Sequence, residues 1–200
     1  MPELRKDPIL NRWIVIAPER ARRPMASVLS EASDSTACPF CAGNETMTPP
    51  EVLVSRDEGD PAGLSTWTVR VVSNKYPALV PEGGEPKITD ENYKPRHGFG
   101  VHEVIIERPN HLVNLALLDE RQFEAILRAY RQRILDLRAN PRFRYILIYK
   151  NHGIQAGATL EHIHSQLIAL PFVPKKVLEE IDGSRAYYQS NGRCAFCDLT

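Results

Sequence analysis

Along the 200-residue chain, apolar positions cluster in short runs separated by proline, glycine and charge, and only one run is long. In that run Phe123, Ile126, Leu127, Tyr130, Ile134 and Leu137 recur every three or four residues, which lines one side of an α-helix. Asp119 offers an N-cap oxygen, Gln122 occupies the capping-box position, and the helix ends before Pro141. The remaining runs are too short for helices and predict strands over 13–17, 67–72, 101–107, 145–149 and 161–170. An arginine-bearing turn follows the first, and Asn74 to Pro77 closes the second. Residues 26–37, small and polar, predict a flexible connector; 80–97, rich in Pro, Gly and charge, predict a loop; 151–159 predict a glycine turn. The pattern is α+β, an antiparallel sheet with one long packed helix and no internal repeat.

Composition narrows the functional classes. An apolar content of 42% supports a real core, and 25 basic against 25 acidic side chains give no formal net charge. A neutral chain lacks the diffuse field on which non-specific nucleic-acid and acidic-membrane binders rely, so neither is an expected partner. No apolar stretch approaches the roughly 18 residues of a membrane span, and MPELRKDPILNRW has no export core, so a cytoplasmic protein is expected. The four cysteines form two Cys-x-x-Cys pairs, Cys38/Cys41 and Cys194/Cys197, a pattern that favours metal over disulfide.

The densest chemistry lies in LEHIHSQLIA, residues 160–169. In an extended chain His162, His164 and Gln166 share one face, with successive Cα atoms about 6.6 Å apart at ~3.3 Å per residue. That spacing suits one metal ligand and one oriented imidazole better than two equivalent ligands. Upstream, Gly153 and Gly157 permit positive φ, and the small residues Gly157, Ala158 and Thr159 would let backbone amides approach a phosphate. A half-exposed polar strand face after a glycine turn gives the same pattern, and these residues alone leave both readings open.

The segments DPILNRWIVIAPERARRP, CPFCAGNE, VVSNKYPAL, GFGVHEVIIERPNH, the long helix, YKNHGIQAGATLEHIHSQLIALPFVP and CAFCDL, taken in order, resemble the galactose-1-phosphate uridylyltransferase branch of the histidine-triad superfamily, including its ADP-glucose phosphorylases. The resemblance implies a histidine-triad-like sheet with His164 as nucleophile. It would take a nucleotide from a nucleotide sugar and pass it to a second phosphate by ping-pong kinetics. UMP exchange between UDP-glucose and galactose 1-phosphate is the leading activity it implies; transfer of AMP from an ADP-sugar to phosphate is the alternative. Histidine-triad hydrolases carry a third histidine where this chain has Gln166, which hydrogen-bonds phosphoryl oxygens but supplies no proton. That favours transfer over hydrolysis, because a sugar phosphate leaves as a stable anion. By the same resemblance Gln166 and Asn151 hold the transferred phosphoryl group, Gly157 to Thr159 line its pocket, and Asn74 lies near the nucleotide. Arg20 and Arg23 would reach substrate phosphate across a homodimer interface.

The resemblance also implies a zinc site of Cys38, Cys41, His111 and His162, a ligand set that spacing alone does not choose over His97, His102 or His152. Cys194 and Cys197 match half of a second zinc site whose other ligands would lie beyond position 200. Members of the family are longer and contain a second histidine-triad-like half. Residues 1–171 are therefore expected to form the catalytic domain and 172–200 the start of a truncated second half. A non-catalytic zinc-binding fragment is the reading from a different class.

Overall fold

β-Branched and aromatic residues dominate the runs that pair into the main sheet, as their fit to a pleated, half-buried surface requires. The computed structural model describes residues 1–22, 38–56, 67–82 and 96–199. The expected connector 26–37, Arg23 and most of the expected 80–97 loop lie outside them. The strands are β1 (Glu3–Lys6), β2 (Trp13–Ile16), β3 (Glu51–Ser55), β4 (Val69–Ser73), β5 (Arg96–His97), β6 (Val101–Ile106), β7 (Tyr145–Tyr149) and β8 (His164–Leu170). Five of them form an antiparallel sheet in the order β3-β4-β6-β8-β7, and β2-β1-β5 form a small second sheet. The helices are α1 (Glu120–Arg138), α2 (Lys175–Asn191) and the short α3 (Ala195–Asp198).

The large sheet has two different faces. On one, Val69, Val71, Ile105, Leu167 and Ala169 pack against Ile126, Ala129 and Leu137 of α1. On the other, Val72, Val104 and Ile106 meet Cys38, Phe40, Cys41 and Trp67. The register Ile106↔His164, Ile105↔Ser165 and Val104↔Gln166 carries this division into β8. His164 and Gln166 therefore face away from the helix while Ser165 faces it.

Several expectations are corrected in detail. The last strand begins at His164 rather than at 161, so His162 precedes the ladder. Asp119 does cap α1 through the Gln122 N–H at 2.7 Å, but the Gln122 side chain does not return the bond. It donates instead to the Thr68 and Glu107 carbonyls, at 3.1 and 2.6 Å, and ties the helix to the sheet. Phe123 and Leu127 are exposed, whereas Ala129 and Arg133 are buried. The helix has turned toward a polar partner: Arg133 donates twice to Glu103 of β6, at 2.9 and 2.7 Å. β7 is an edge strand and only half-buried, and β1, β3, β5 and α2 have no counterpart in the hydrophobic pattern.

Candidate functional site

Four side chains from three separate segments converge at the edge of the second face. Cys38 and Cys41 lie on a tight turn whose next amide, Ala42 N–H, is bonded to Pro109 O at 2.9 Å. The segment before β8 is joined to the same region, because Ile163 N–H donates to Leu112 O at 2.8 Å. These bonds bring Cys38, Cys41, His111 and His162 together with their ligand atoms within 4.8 Å of one another. Cys38 Sγ lies 3.5 Å from His162 Nδ1, Cys41 Sγ 3.5 Å from His111 Nδ1, and Cys41 Sγ 3.6 Å from His162 Nδ1. A tetrahedral ion with metal–sulfur of about 2.3 Å and metal–nitrogen of about 2.0–2.1 Å sets its S and N ligands about 3.5 Å apart, so the residues fit.

The electrostatics also favour a cation. Burial, with the neighbouring Cys38 second, pushes the Cys41 thiol up to about 12, so a thiolate here needs a positive partner. Burial pushes His162 down to about 4, which keeps its imidazole neutral and able to ligate. His162 Nε2 donates to Arg108 O at 2.8 Å, which fixes the tautomer and aims Nδ1 at the cysteines.

His164 is tied the other way round. Its Nδ1 donates to His162 O at 2.8 Å, so the proton sits on Nδ1 and the lone pair on Nε2. The ring is 6% exposed and packs edge-on against Phe40, with centroids 5.2 Å apart. Phe40 comes from the cysteine turn and also contacts His162, so the metal cluster and His164 share one aromatic brace.

Both histidines and Gln166 line a cavity of about 710 Å³, within the range of small-molecule sites. Asn74, Asn151, Ala158 and Thr159 line it too. Gly153 and Gly157 adopt φ of +75° and +81°, as the turn requires. The Gly157 and Ala158 amides, however, bond to Ile154 O and Gly153 O, at 2.9 and 3.2 Å. The expected phosphate cradle is thus a self-bonded turn that presents a wall of small residues. Arg20 is placed beside the site: its guanidinium donates to Tyr76 O and lies 3.4 Å from His102 Nδ1. Arg23 lies outside the described residues, and Cys194 and Cys197 are exposed on the α3 side, apart from the first cluster.

Sequence reasoning missed several supporting residues. Glu107, fully buried, pairs with Lys150 and accepts from Tyr130 Oη at 2.6 Å and Ser165 Oγ at 2.5 Å. Burial, with the Glu107 charge second, raises the Tyr130 phenol. Lys150, which itself lines the cavity, also donates to His164 O at 2.9 Å, so this network grips the start of β8. Gln166 Oε1 receives His102 Nε2 at 2.9 Å and Tyr149 Oη at 3.2 Å. The alternation of VHEVII put His102 on the same face as Val104 and Ile106, the one signal that pointed to it.

A Cys/His cluster braced against a histidine on an antiparallel sheet defines a histidine-triad-like α+β domain. The chain belongs to the galactose-1-phosphate uridylyltransferase family: the profile of the N-terminal domain of galactose-1-phosphate uridyl transferase matches residues 1–174. It is 38% identical over 203 residues to ADP-glucose phosphorylase of Arabidopsis thaliana, covering 98% of this chain and 56% of that protein. It is 26% identical over 200 residues to galactose-1-phosphate uridylyltransferase of Thermotoga maritima, covering 100% of this chain and 56% of the relative. The crystal structure of the Arabidopsis phosphorylase with bound ADP-glucose superposes with a TM-score of 0.69 at 37% identity, over 100% of this chain and 58% of that one. A structure of uridylyltransferase superposes with a TM-score of 0.71 at 28% identity, over 98% and 54%. The chain thus spans just over half the length of these relatives. Among the described residues no helix is long and apolar enough to cross a membrane.

Proposed function

We propose that this chain carries the nucleophilic half of a nucleotidyl-transfer site acting on ADP-sugars, with inorganic phosphate as acceptor. His164 Nε2 attacks the α-phosphorus, an N–P bond forms, and the bond to the bridging oxygen breaks to release the sugar 1-phosphate. A phosphate oxygen then attacks the same phosphorus, the N–P bond breaks, and ADP leaves. The observation that carries the reaction type is the His164 Nδ1 bond to His162 O, which directs the lone pair of Nε2. The base is supported by identity: 38% to the phosphorylase against 26% to the Thermotoga uridylyltransferase. That contrast reverses the order expected from the motifs, which put UMP and galactose 1-phosphate first.

Gln166 and Asn151 bind the transferred phosphoryl group in this reading, Ala158 and Thr159 wall its pocket, and Asn74 lies toward the nucleotide. Zinc fits the donor set of Cys38, Cys41, His111 and His162, and when bound it would cross-link the segment before β8 to the cysteine turn. Arg20 and Arg23 would belong to the substrate end of a cytoplasmic homodimer. Cys194 and Cys197 would supply half of a second metal site.

Zinc-loaded protein is incubated separately with ADP-glucose and UDP-glucose, and its intact mass is measured. An AMP-sized adduct from the first is expected; a UMP-sized adduct from the second alone would move the assignment to uridylyl transfer. No adduct from either, with nucleotide binding demonstrated, would leave a non-catalytic metal-binding unit. His164→Ala should abolish the adduct with metal content unchanged, whereas His162→Ala and Cys38→Ala should lose metal. Loss of metal in His164→Ala would overturn this division of labour.

A further inference from the structure

A glutamine facing a phosphoryl group can present either end of its amide, and the two ends have opposite effects. The NH2 group donates to an anionic oxygen, whereas the carbonyl repels it. In an isolated glutamine the two differ by a simple flip about the last torsion. Here the direction is dictated by two backbone amides, which can only donate.

Ala78 N–H donates to His102 Nδ1 at 2.9 Å. The His102 proton therefore sits on Nε2, which donates to Gln166 Oε1 at 2.9 Å. Arg20 reinforces the same tautomer, since its guanidinium lies 3.4 Å from His102 Nδ1. A second chain runs in parallel: Tyr76 N–H donates to Asn74 Oδ1 at 2.9 Å, which turns Asn74 Nδ2 toward both His102 Nε2 at 3.2 Å and Gln166 Oε1 at 3.4 Å; Nε2 already carries its proton, so the Gln166 oxygen is the acceptor. Tyr149 Oη adds a third donor at 3.2 Å. Three donors on one oxygen leave the Gln166 NH2 group as the end presented to the cavity that His164 shares. His102 is 4% exposed and sits diagonally from Gln166 across the β6–β8 ladder, a fixed position.

We propose that His102 is a positioning residue that sets the polarity of the Gln166 amide, so that this site meets the transferred phosphoryl group as a donor. The relay starts at the Ala78 amide and passes through one imidazole tautomer. It links the turn after β4 and the arginine-bearing turn after β2 to the residue that takes the place of a third histidine.

The inference rests on the nucleotidyl-transfer reading, and its test has two arms. In the first, 15N NMR of the metal-loaded protein reads the His102 tautomer with no dependence on turnover. Nε2–H with unprotonated Nδ1 is expected at neutral pH; the Nδ1–H tautomer overturns the proposal. In the second, the single-turnover rate of adduct formation is followed. His102→Leu should lower it about 10- to 100-fold, the scale of lost positioning contacts, with zinc content unchanged. His102→Gln, which restores an NH2 donor at the tip, should recover it to within a few fold. In a Gln166→Ala background His102→Leu should add no further loss; a full additional loss would make His102 a general structural residue and sink the idea. If the wild-type protein forms no adduct, the transfer reading fails while the tautomer measurement still decides the relay.

Discussion

His162 and His164 differ in role because different ring nitrogens are tied to backbone carbonyls. Nε2 of the first is held by Arg108 O, which leaves Nδ1 for a metal; Nδ1 of the second is held by His162 O, which leaves Nε2 for chemistry. Phe40 packs against both rings, so its removal should separate the functions. Phe40→Ala leaves all four ligands in place but loosens the nucleophile. Adduct formation should slow about 10-fold while metal affinity changes little, as single-turnover mass measurement and competitive chelation would show. A collapse of metal affinity would mean that the ring holds the cysteine turn instead. Acid should act through His162. Its folded pKa near 4 lies below the ordinary 6.5, so the unfolded chain takes up its proton first. Stability of the metal-stripped protein present above about 6.5 is therefore lost as pH falls toward 4. Urea midpoints at pH 7, 5.5 and 4.5 should decline, and His162→Gln should flatten that decline.

At the scale of elements, the seam between α1 and the sheet is joined by charge as well as by apolar contact. Arg133 and Glu103 side chains are 8% and 4% exposed, and Asp136 completes the arginine's partners at 2.7 Å. Arg133→Ala strands a buried carboxylate and should cost about 3–5 kcal/mol by urea denaturation. The double replacement Arg133→Met with Glu103→Leu, which removes both charges, should cost much less; equal losses would show that the pair is not the unit that matters. The same seam explains what the sequence disclosed. The three- and four-residue rhythm identified α1, and Asp119 and Pro141 gave its start and end, but nothing gave its rotation. Arg133 could be recognised as inward-facing only through Glu103, thirty positions away on another strand. β1 and β5 escape notice for a related reason, since Glu3–Lys6 and Arg96–His97 alternate little and exist as strands only by pairing with each other and with β2. The Cys38/Cys41 pair was legible as a local motif, and His111 and His162 joined it only through the family resemblance, since spacing alone does not choose them. The Glu107 and His102 networks were not legible, because each joins segments far apart in the chain through single side chains.

On the scale of the molecule, the chain divides into a sheet-and-helix body and a C-terminal pair of helices. None of the α2 side chains is buried, and α2 and α3 chiefly meet each other. Leu178, Ile181, Tyr188, Phe196 and Leu199 stand exposed there, and the family profile ends at residue 174. The two cysteine pairs consequently occupy opposite environments. Cys38 and Cys41 are buried with two histidines beside them; Cys194 and Cys197 are exposed at the start of α3. Bonds from the backbone amides of Cys197 and Phe196 lower the Cys194 thiol, whereas burial holds the Cys41 thiol up at about 12. Nucleophilicity toward an alkylating reagent follows thiolate fraction and access, and both favour Cys194. Brief iodoacetamide treatment at pH 7, followed by peptide mass mapping, should therefore label Cys194 well before Cys41 in metal-loaded protein. Metal analysis after desalting should give about one ion per chain, because among the described residues the cluster of Cys38, Cys41, His111 and His162 is the group that brings together the four donors a structural tetrahedral site uses. Cys194→Ser with Cys197→Ser should leave that value unchanged, and Cys38→Ser should bring it close to zero. Equal labelling of Cys41 and Cys194, or a metal content that follows the C-terminal pair, would show that the buried cluster is not where this chain holds its metal.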